Sequence, residues 1–476
     1  MFREQRLGKI SDDVLEYISS RDADKRIFEA DLLVDRAHLI MLKEQGLISS
    51  EECTKIIEAL DSIKEEDLGE GEDVHEAIEA IIISKVGSLG GKMHTGRSRN
   101  DEVATCIRMT LRAQMLELMD ELLSLISTLV ELAEKSTETI IPGYTHTQHA
   151  QPTTLAHHLL AHADAYLRDV DRMEAAYRRV DLCPLGAAAF ASTGFDINRQ
   201  MTCQLLGFDG LVENTMDAVS TRDFAQEVLA DLSILMVNLS RQAEELILWS
   251  TSEFDYIELD DLFASTSSIM PQKKNPDTAE LARAKTGSVI GSLVSVLTIC
   301  KSLPLSYNRD LQELTPHLWR SMDWTMSTVR VLNGCVSTLK FNSERLEKNS
   351  SVGFSTATEL ADSLVRSTGI PFRSAHQIVG MLASQKDEPT IQDLDAAAFA
   401  LAGLRPTELG FSSEMLKKAL EPKANVAIRD NIGGPAPTET KRMASMRLCR
   451  ISEESTRLSE MRSKVNIALD VLRQMK

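Results

Sequence analysis

Aromatic residues make up only 5% of this chain, and no proline occurs before Pro142, the first of 13. With so few aromatics and little period-two alternation, β-sheet is excluded as the main architecture. An interior proline costs a helix about 3 kcal/mol, so long proline-free stretches permit long helices. The seven cysteines are scattered (Cys53, Cys106, Cys183, Cys203, Cys300, Cys335, Cys449), odd in number, and form no C-x-x-C. Neither a disulfide framework nor a zinc site is therefore expected. No apolar run approaches the ~20 residues that span a bilayer, and the start, MFREQRLGKISDD, lacks the apolar stretch of a secretory signal. Positive charge is the minority: 52 Lys and Arg stand against 71 Asp and Glu, a net −19. That surface argues against nucleic acid or an anionic membrane as partner, although a small site can still be locally positive. A soluble cytoplasmic protein is expected.

What is present is helical periodicity. The 476 residues suggest two or three domains. From Val103 an apolar stripe runs through Ile107, Leu111, Met115, Leu118, Leu122, Ile126 and Leu129, with Asn100 and Asp101 as N-cap candidates. A second stripe, Phe224 to Trp249, carries apolar residues on more than one face. It suits either a central helix of one domain or burial between helices of several subunits. Further helices are predicted over 153–180, 277–300 and 317–341, and Gly287 and Gly291, four apart, would let another helix approach closely. The fold class is mainly α, with a central bundle of long helices. Glycines 87, 90 and 91, and the segment 349–353, suggest boundaries. The expected division is an N-terminal helical domain over 1–98, the long-helix bundle over 99–350, and a smaller helical domain over 351–476 with shorter helices and denser proline.

Polar loops interrupt these helices. Lys92 to Asp101 places three cations before a helix start, whose free N–H groups can hold an anion or simply be solvated. Pro142-Gly143-Tyr144-Thr145-His146 reads as a Pro-Gly turn presenting Thr145 and His146; the histidine suits acid–base work or an ordinary surface position. His158 and His162 share a helix face, but the sequence around them offers no H-E-x-x-H and no flanking carboxylate, so no metal is expected. Ser265 to Pro276 combines hydroxyls with Lys273 and Lys274 between prolines, as a mobile loop or a basic surface loop; it lacks a Walker pattern. Ser306 to Glu313 is a polar connector.

Together these segments resemble the fumarase/aspartase superfamily and, within it, the argininosuccinate lyase family. TSSIMPQKKNPD (266–277) is similar to the superfamily signature G-S-S-x-M-P-x-K-x-N, while GKMHTGRSRND (91–101), PGYTH (142–146), MDAVSTRDF (216–224) and YNRDLQE (307–313) look like the argininosuccinate branch. The resemblance covers nearly the whole chain. It implies a reversible β-elimination of argininosuccinate to arginine and fumarate, the last step of arginine biosynthesis. It also implies no cofactor, and a homotetramer with a twenty-helix core whose sites draw loops from three subunits. By position, Ser267 matches the catalytic base, His146 the acid toward the leaving guanidinium nitrogen, and Glu280 the carboxylate that orients it. Lys273 and Asn275 match groups that bind the succinyl carboxylate. Ser20, His75, Arg99, Asn100, Thr145, Tyr307 and Gln312 match substrate-binding residues. The chain departs from the pattern at Thr266, where glycine is usual, at Gln5-Arg6-Leu7-Gly8-Lys9, where a Trp-Gly-Gly-Arg-Phe-like start is usual, and at Thr315, where lysine is usual. The last two bear on how the arginine end of the substrate is held. Sister lyases acting on adenylosuccinate, aspartate or malate share the signature loop, and inactive lens δ-crystallins share the fold; the segment from Tyr307 to Gln312 separates the first group from the argininosuccinate branch.

Overall fold

A computed structural model describes residues 8, 10–69, 72–384 and 389–475. Of the Gln5-to-Lys9 start, only Gly8 lies within the described residues. The chain is mostly helical. After two short helices, Asp12–Ile18 and Arg21–Asp24, come α1 (Phe28–Glu44), α2 (Ser50–Leu60) and α3 (Val74–Val86). The 37-residue α4 (Arg99–Lys135) follows and buries Ile107, Leu111, Met115, Leu118, Leu122, Ile126 and Leu129. Each such side chain contributes roughly 1.5–3 kcal/mol on burial, so the stripe rather than helix propensity holds α4 in place.

Next comes a hairpin, β1 (Ile140–Thr145) and β2 (Gln148–Thr154). It leads into α5 (Leu155–Val180), then α6 (Asp223–Trp249). A short ribbon, β3 (Ser265–Thr266) with β4 (Lys274–Asn275), opens α7 (Asp277–Cys300), and α8 (Leu314–Ser337) follows. The helices α4 to α8 form a closed ring: each packs on the next and α8 returns to α4.

Four details differ from the sequence reading. The cap of α4 is Ser98, not Asn100 or Asp101: its hydroxyl accepts from Asn100 N–H, and Asp101 carboxylate accepts from Ser98 N–H. The helix thus starts at Arg99, with Asn100 and Asp101 inside its first turn. The Pro-Gly pair makes no turn. Pro142 and Gly143 lie in β1 at a bulge, where a Cβ on Gly143 would collide with Gln151 carbonyl oxygen, so glycine is required there. The reversal falls on His146 and Thr147, with φ of 54° and 57°. The helix predicted over 317–341 begins at Leu314, because Pro316 fits a first turn whose N–H groups need no helical partner. Gly287 and Gly291 meet nothing within 4 Å of an added Cβ, so no helix of this chain approaches them.

Beyond the ring, α9 (Ala357–Thr368), α10 (Phe372–Ala383), α11 (Ile391–Ala402) and α12 (Ser413–Leu420) surround an apolar cluster of their own, from Phe354 to Ala419. The N-terminal helices have no separate core; they share that of the ring. The last helix, α13 (Pro437–Gln474), has 38 residues, the reverse of the short helices expected here, and lies along α4 rather than on the small cluster. It buries Met443, Ala444, Leu458 and Leu472 in the core of the ring and carries charged residues along its flanks. Arg447 pairs with Asp164 at 2.7 Å and Arg457 with Glu174 at 2.8 Å, and Arg450–Asp171 and Arg462–Asp120 continue the ladder. Among the described residues, no helix is long and apolar enough to cross a membrane.

Candidate active site

The start of α4, the segment around Ser20, the start of α3 and the connector 307–315 enclose a cavity of about 330 Å³. Ser20, His75, Arg99, Asn100, Tyr307 and Gln312 all line it, so six of the expected substrate residues meet in one place. Their side chains are held by local pairs. Ser20 Oγ donates to Asp24, and Arg99 Nη1 donates to Asp73 at 3.2 Å. Asn100 Nδ2 donates to Ala189 carbonyl at 3.1 Å, and Gln312 Nε2 to Ile18 carbonyl at 3.1 Å. Thr315, which stands where lysine is usual, is a buried wall residue whose hydroxyl donates to Gln312 carbonyl at 3.0 Å.

His75 sits deepest. Its Nδ1 donates to Asp31 Oδ2 at 2.8 Å, and its Nε2, also buried, has no hydrogen-bond partner among the described residues. Burial alone would lower its pKa, but Asp31 and Glu102 outweigh that and hold it well above the ordinary histidine value. The ring is therefore cationic and offers one free N–H. Burial pushes the neighbouring Asp24 carboxyl up to about 6, against the lowering effects of His75 and the Ser20 hydroxyl. Behind His75 lies a buried ion network in which Arg97 meets Asp35 at 2.6 Å and Glu102 at 2.9 Å. One step along α4, the buried Asp101 accepts from Gly186 N–H at 2.9 Å and Ala188 N–H at 2.8 Å. It thereby docks the 186–189 loop beside Asn100.

The remaining expected residues do not line this cavity. Thr145 and His146 stand exposed at the hairpin tip. Ser267, Lys273 and Asn275 belong to the loop closed by β3 and β4, and Glu280 is exposed on the first turn of α7. No hydrogen bond joins Glu280 to His146 among the described residues. Within the loop, Ser267 Oγ accepts two backbone N–H groups, from Met270 at 3.1 Å and Ile269 at 3.3 Å. Two donors aimed at one hydroxyl oxygen favour negative charge on it. Thr266 is extended and pairs with Lys274. A β-branched residue suits that strand position, which accounts for threonine where glycine is usual.

Comparison with known proteins fits this layout. A family profile described as "Lyase" matches residues 16–291, and one described as "Argininosuccinate lyase C-terminal" matches 354–427. An argininosuccinate lyase of Methanothrix thermoacetophila is 64% identical over 472 residues, 98% of this chain and 97% of that protein. The chain belongs to the argininosuccinate lyase family. The argininosuccinate lyase of Methanocaldococcus jannaschii is 49% identical, with 99% of both chains covered. Among solved structures, an EDDS lyase variant with bound fumarate is 34% identical with a TM-score of 0.87, covering 94% of this chain and 90% of that one. A class II fumarase from Schistosoma mansoni, 16% identical with a TM-score of 0.68 over 83% of this chain and 91% of its own, shares the fold.

For this member of the argininosuccinate lyase family, sequence reasoning passed over several cavity residues. Asp24, Glu72, Asp73, Arg222 and Arg309 all line the wall. Arg222 is 3% exposed and donates to Thr221 carbonyl at 2.8 Å, while Arg309 pairs with Glu72. Arg222 and Arg309 lie inside the quoted segments MDAVSTRDF and YNRDLQE. A charged residue embedded in an otherwise recognised motif was the available signal.

Proposed function

We propose that this chain catalyses the reversible β-elimination of argininosuccinate to arginine and fumarate, with Ser267 as base and His146 as acid. The observation that carries the reading is the mixed charge of the cavity. His75, Arg99, Arg222 and Arg309 supply cationic donors for carboxylates, and Asp24, Glu72 and Asp73 supply acceptors for a guanidinium or ammonium group. The substrate bears both kinds of group. Ser267 as alkoxide takes the proton from the carbon next to a succinyl carboxylate. That C–H electron pair becomes the C=C bond of fumarate, the C–N bond breaks, and His146 gives the departing nitrogen its proton. The two N–H groups on Ser267 Oγ support the alkoxide. Lys273 and Asn275 meet the charge that builds on the carboxylate. Incubation with argininosuccinate should release fumarate, followed by its absorbance, faster than with adenylosuccinate, aspartate or malate. A preference for any of those three would overturn the assignment.

We further infer that the working site is completed by a homotetramer. The reading rests on two supports: His146 and Ser267 lie off the cavity that the binding residues line, and α7 leaves Leu281, Val294 and Leu297 exposed beside its glycines. Chains carrying His146→Asn and chains carrying Ser267→Ala should each be inactive. Denatured, mixed and refolded together, they should regain part of the activity. Mixed tetramers of confirmed mass with no activity above the separate parents would refute the shared site. A cytoplasmic location goes with the cysteines, all of them free thiols.

A further inference from the structure

Away from the cavity, α5 and α6 face each other across a cluster that the elimination does not use. His158 and His162 stand one turn apart on α5, and their Nε2 atoms lie 2.8 and 2.7 Å from the same oxygen, Oε2 of Glu245 on α6. The carboxylate that the sequence around the histidines lacks is thus brought in by the fold. Two imidazole nitrogens and one carboxylate oxygen converge within 4.8 Å of one another. The side chains of His158, His162 and Glu245 are 25%, 13% and 38% exposed, so an ion can enter from water. Burial would raise the Glu245 pKa, but hydrogen bonds from both imidazoles override it and hold the group below the usual carboxylate range.

We propose that His158, His162 and Glu245 form a binding site for a borderline divalent transition-metal ion such as Zn²⁺, with a fourth position open to water. Two imidazoles and a carboxylate suit Zn²⁺, Co²⁺ or Ni²⁺, whereas Mg²⁺ and Ca²⁺ prefer all-oxygen shells. Bonds of about 2.0–2.2 Å in tetrahedral geometry need donor atoms roughly 3.3 Å apart. The present spacing must open by about half an ångström, within the reach of a rotamer adjustment. Binding replaces two N–H···O hydrogen bonds with coordination, each ring then carrying its proton on Nδ1. The ion would staple α5 to α6. His158 also packs on Trp249 at 4.8 Å, Trp249 lies 6.1 Å from Tyr256, and Tyr256 hydroxyl meets that of Tyr144 in the hairpin that carries His146. These rings link the site to Tyr144, two residues from His146 near the tip of that hairpin, without touching the reacting atoms.

The test uses an untagged full-length chain carrying Cys449→Ser, which removes the exposed thiol. After chelator treatment it is titrated with Co²⁺ and then Zn²⁺. One equivalent of Co²⁺ per chain should bind with visible d–d absorption, be displaced by Zn²⁺ but not by excess Mg²⁺, and raise Tm. His162→Tyr, which keeps an aromatic ring, and Glu245→Gln, which keeps a hydrogen-bonding group, should each weaken binding by at least about 10–100-fold with the elimination rate unchanged in the absence of metal. Absence of saturable binding at micromolar Co²⁺, or undiminished binding in both variants, would overturn the proposal. Anomalous diffraction from Zn²⁺-soaked wild-type crystals locates the ion directly, so the proposal stays open to refutation even if a variant fails to fold.

Discussion

The cavity and the Ser267 loop are two unlike halves of one proposed machine. Around the cavity, polar side chains are tied to carbonyls, carboxylates or helix ends: Ser20 to Asp24, Arg99 to Asp73, Gln312 to Ile18, His75 to Asp31. The loop half is the opposite. His146 projects from a turn, Lys273 is exposed, and Ser267 is held chiefly by its own loop's N–H groups. One half is organised before substrate arrives, which lowers the ordering cost of binding. The other holds the proposed proton-transfer groups and leaves His146 exposed and Ser267 half-buried in the single chain. Binding and chemistry should therefore fail separately when each half is damaged.

The largest expected effect falls on the loop. Ser267→Ala should cut turnover by about 10²–10⁴-fold or more, leaving substrate affinity and assembly as they are. A variant that keeps above roughly a tenth of the wild-type rate would remove serine from the base role and blur the contrast between the halves.

Next comes the cavity floor. His75→Phe strands the Asp31 carboxylate in the interior, and leaving one partner of a buried pair costs about 3–5 kcal/mol. Denaturant unfolding should show that loss. Adding Asp31→Asn to the same chain should restore most of the stability but none of the substrate affinity. Recovery of both would mean that His75 serves packing alone.

The smallest effect is the pH dependence of Asp24. Its carboxyl is raised from 3.8 to about 6 in the folded chain, so the native state holds the proton more tightly than the unfolded one. The full stability tied to this group is present below about pH 4 and is lost as pH rises through about 6. Asp24→Asn stays neutral throughout. It should match the wild type at pH 4 and exceed it at pH 8 by up to about 2–3 kcal/mol, while substrate binding weakens. Equal stabilities at pH 8 would show that Asp24 ionises there without penalty.

Much of the helical layout was legible because α4 and α6 carry apolar stripes and α7 has no interior proline. The hairpin was not, since β2 reads Gln-His-Ala-Gln-Pro-Thr-Thr and has no apolar alternation to detect. The end of the chain was not either, because the few buried apolar residues of α13, Met443, Ala444, Leu458 and Leu472, are spread over 38 residues rich in charge. In the site, motif residues such as Ser20, Arg99 and Tyr307 could be named from the resemblance to the argininosuccinate lyase family. Their grouping apart from His146 and Ser267 could not, because it depends on how distant segments meet. Glu245 makes the same point: nothing around His158 hints at a carboxylate that reaches them from another helix.

The ring of long helices also constrains how the chain is made. Its first member, α4, packs against α8 and against α13, the last helix in the sequence. At about 5–20 residues per second of synthesis, α13 leaves the ribosome roughly 15–60 s after α4 is complete. Throughout that interval the nascent helix has a long face without its native cover. Contacts between segments so far apart form late, after a large loop has closed. A ribosome-bound chain stopped before Pro437 should therefore be a chaperone client, and release from the chaperone should coincide with the emergence of the final helix.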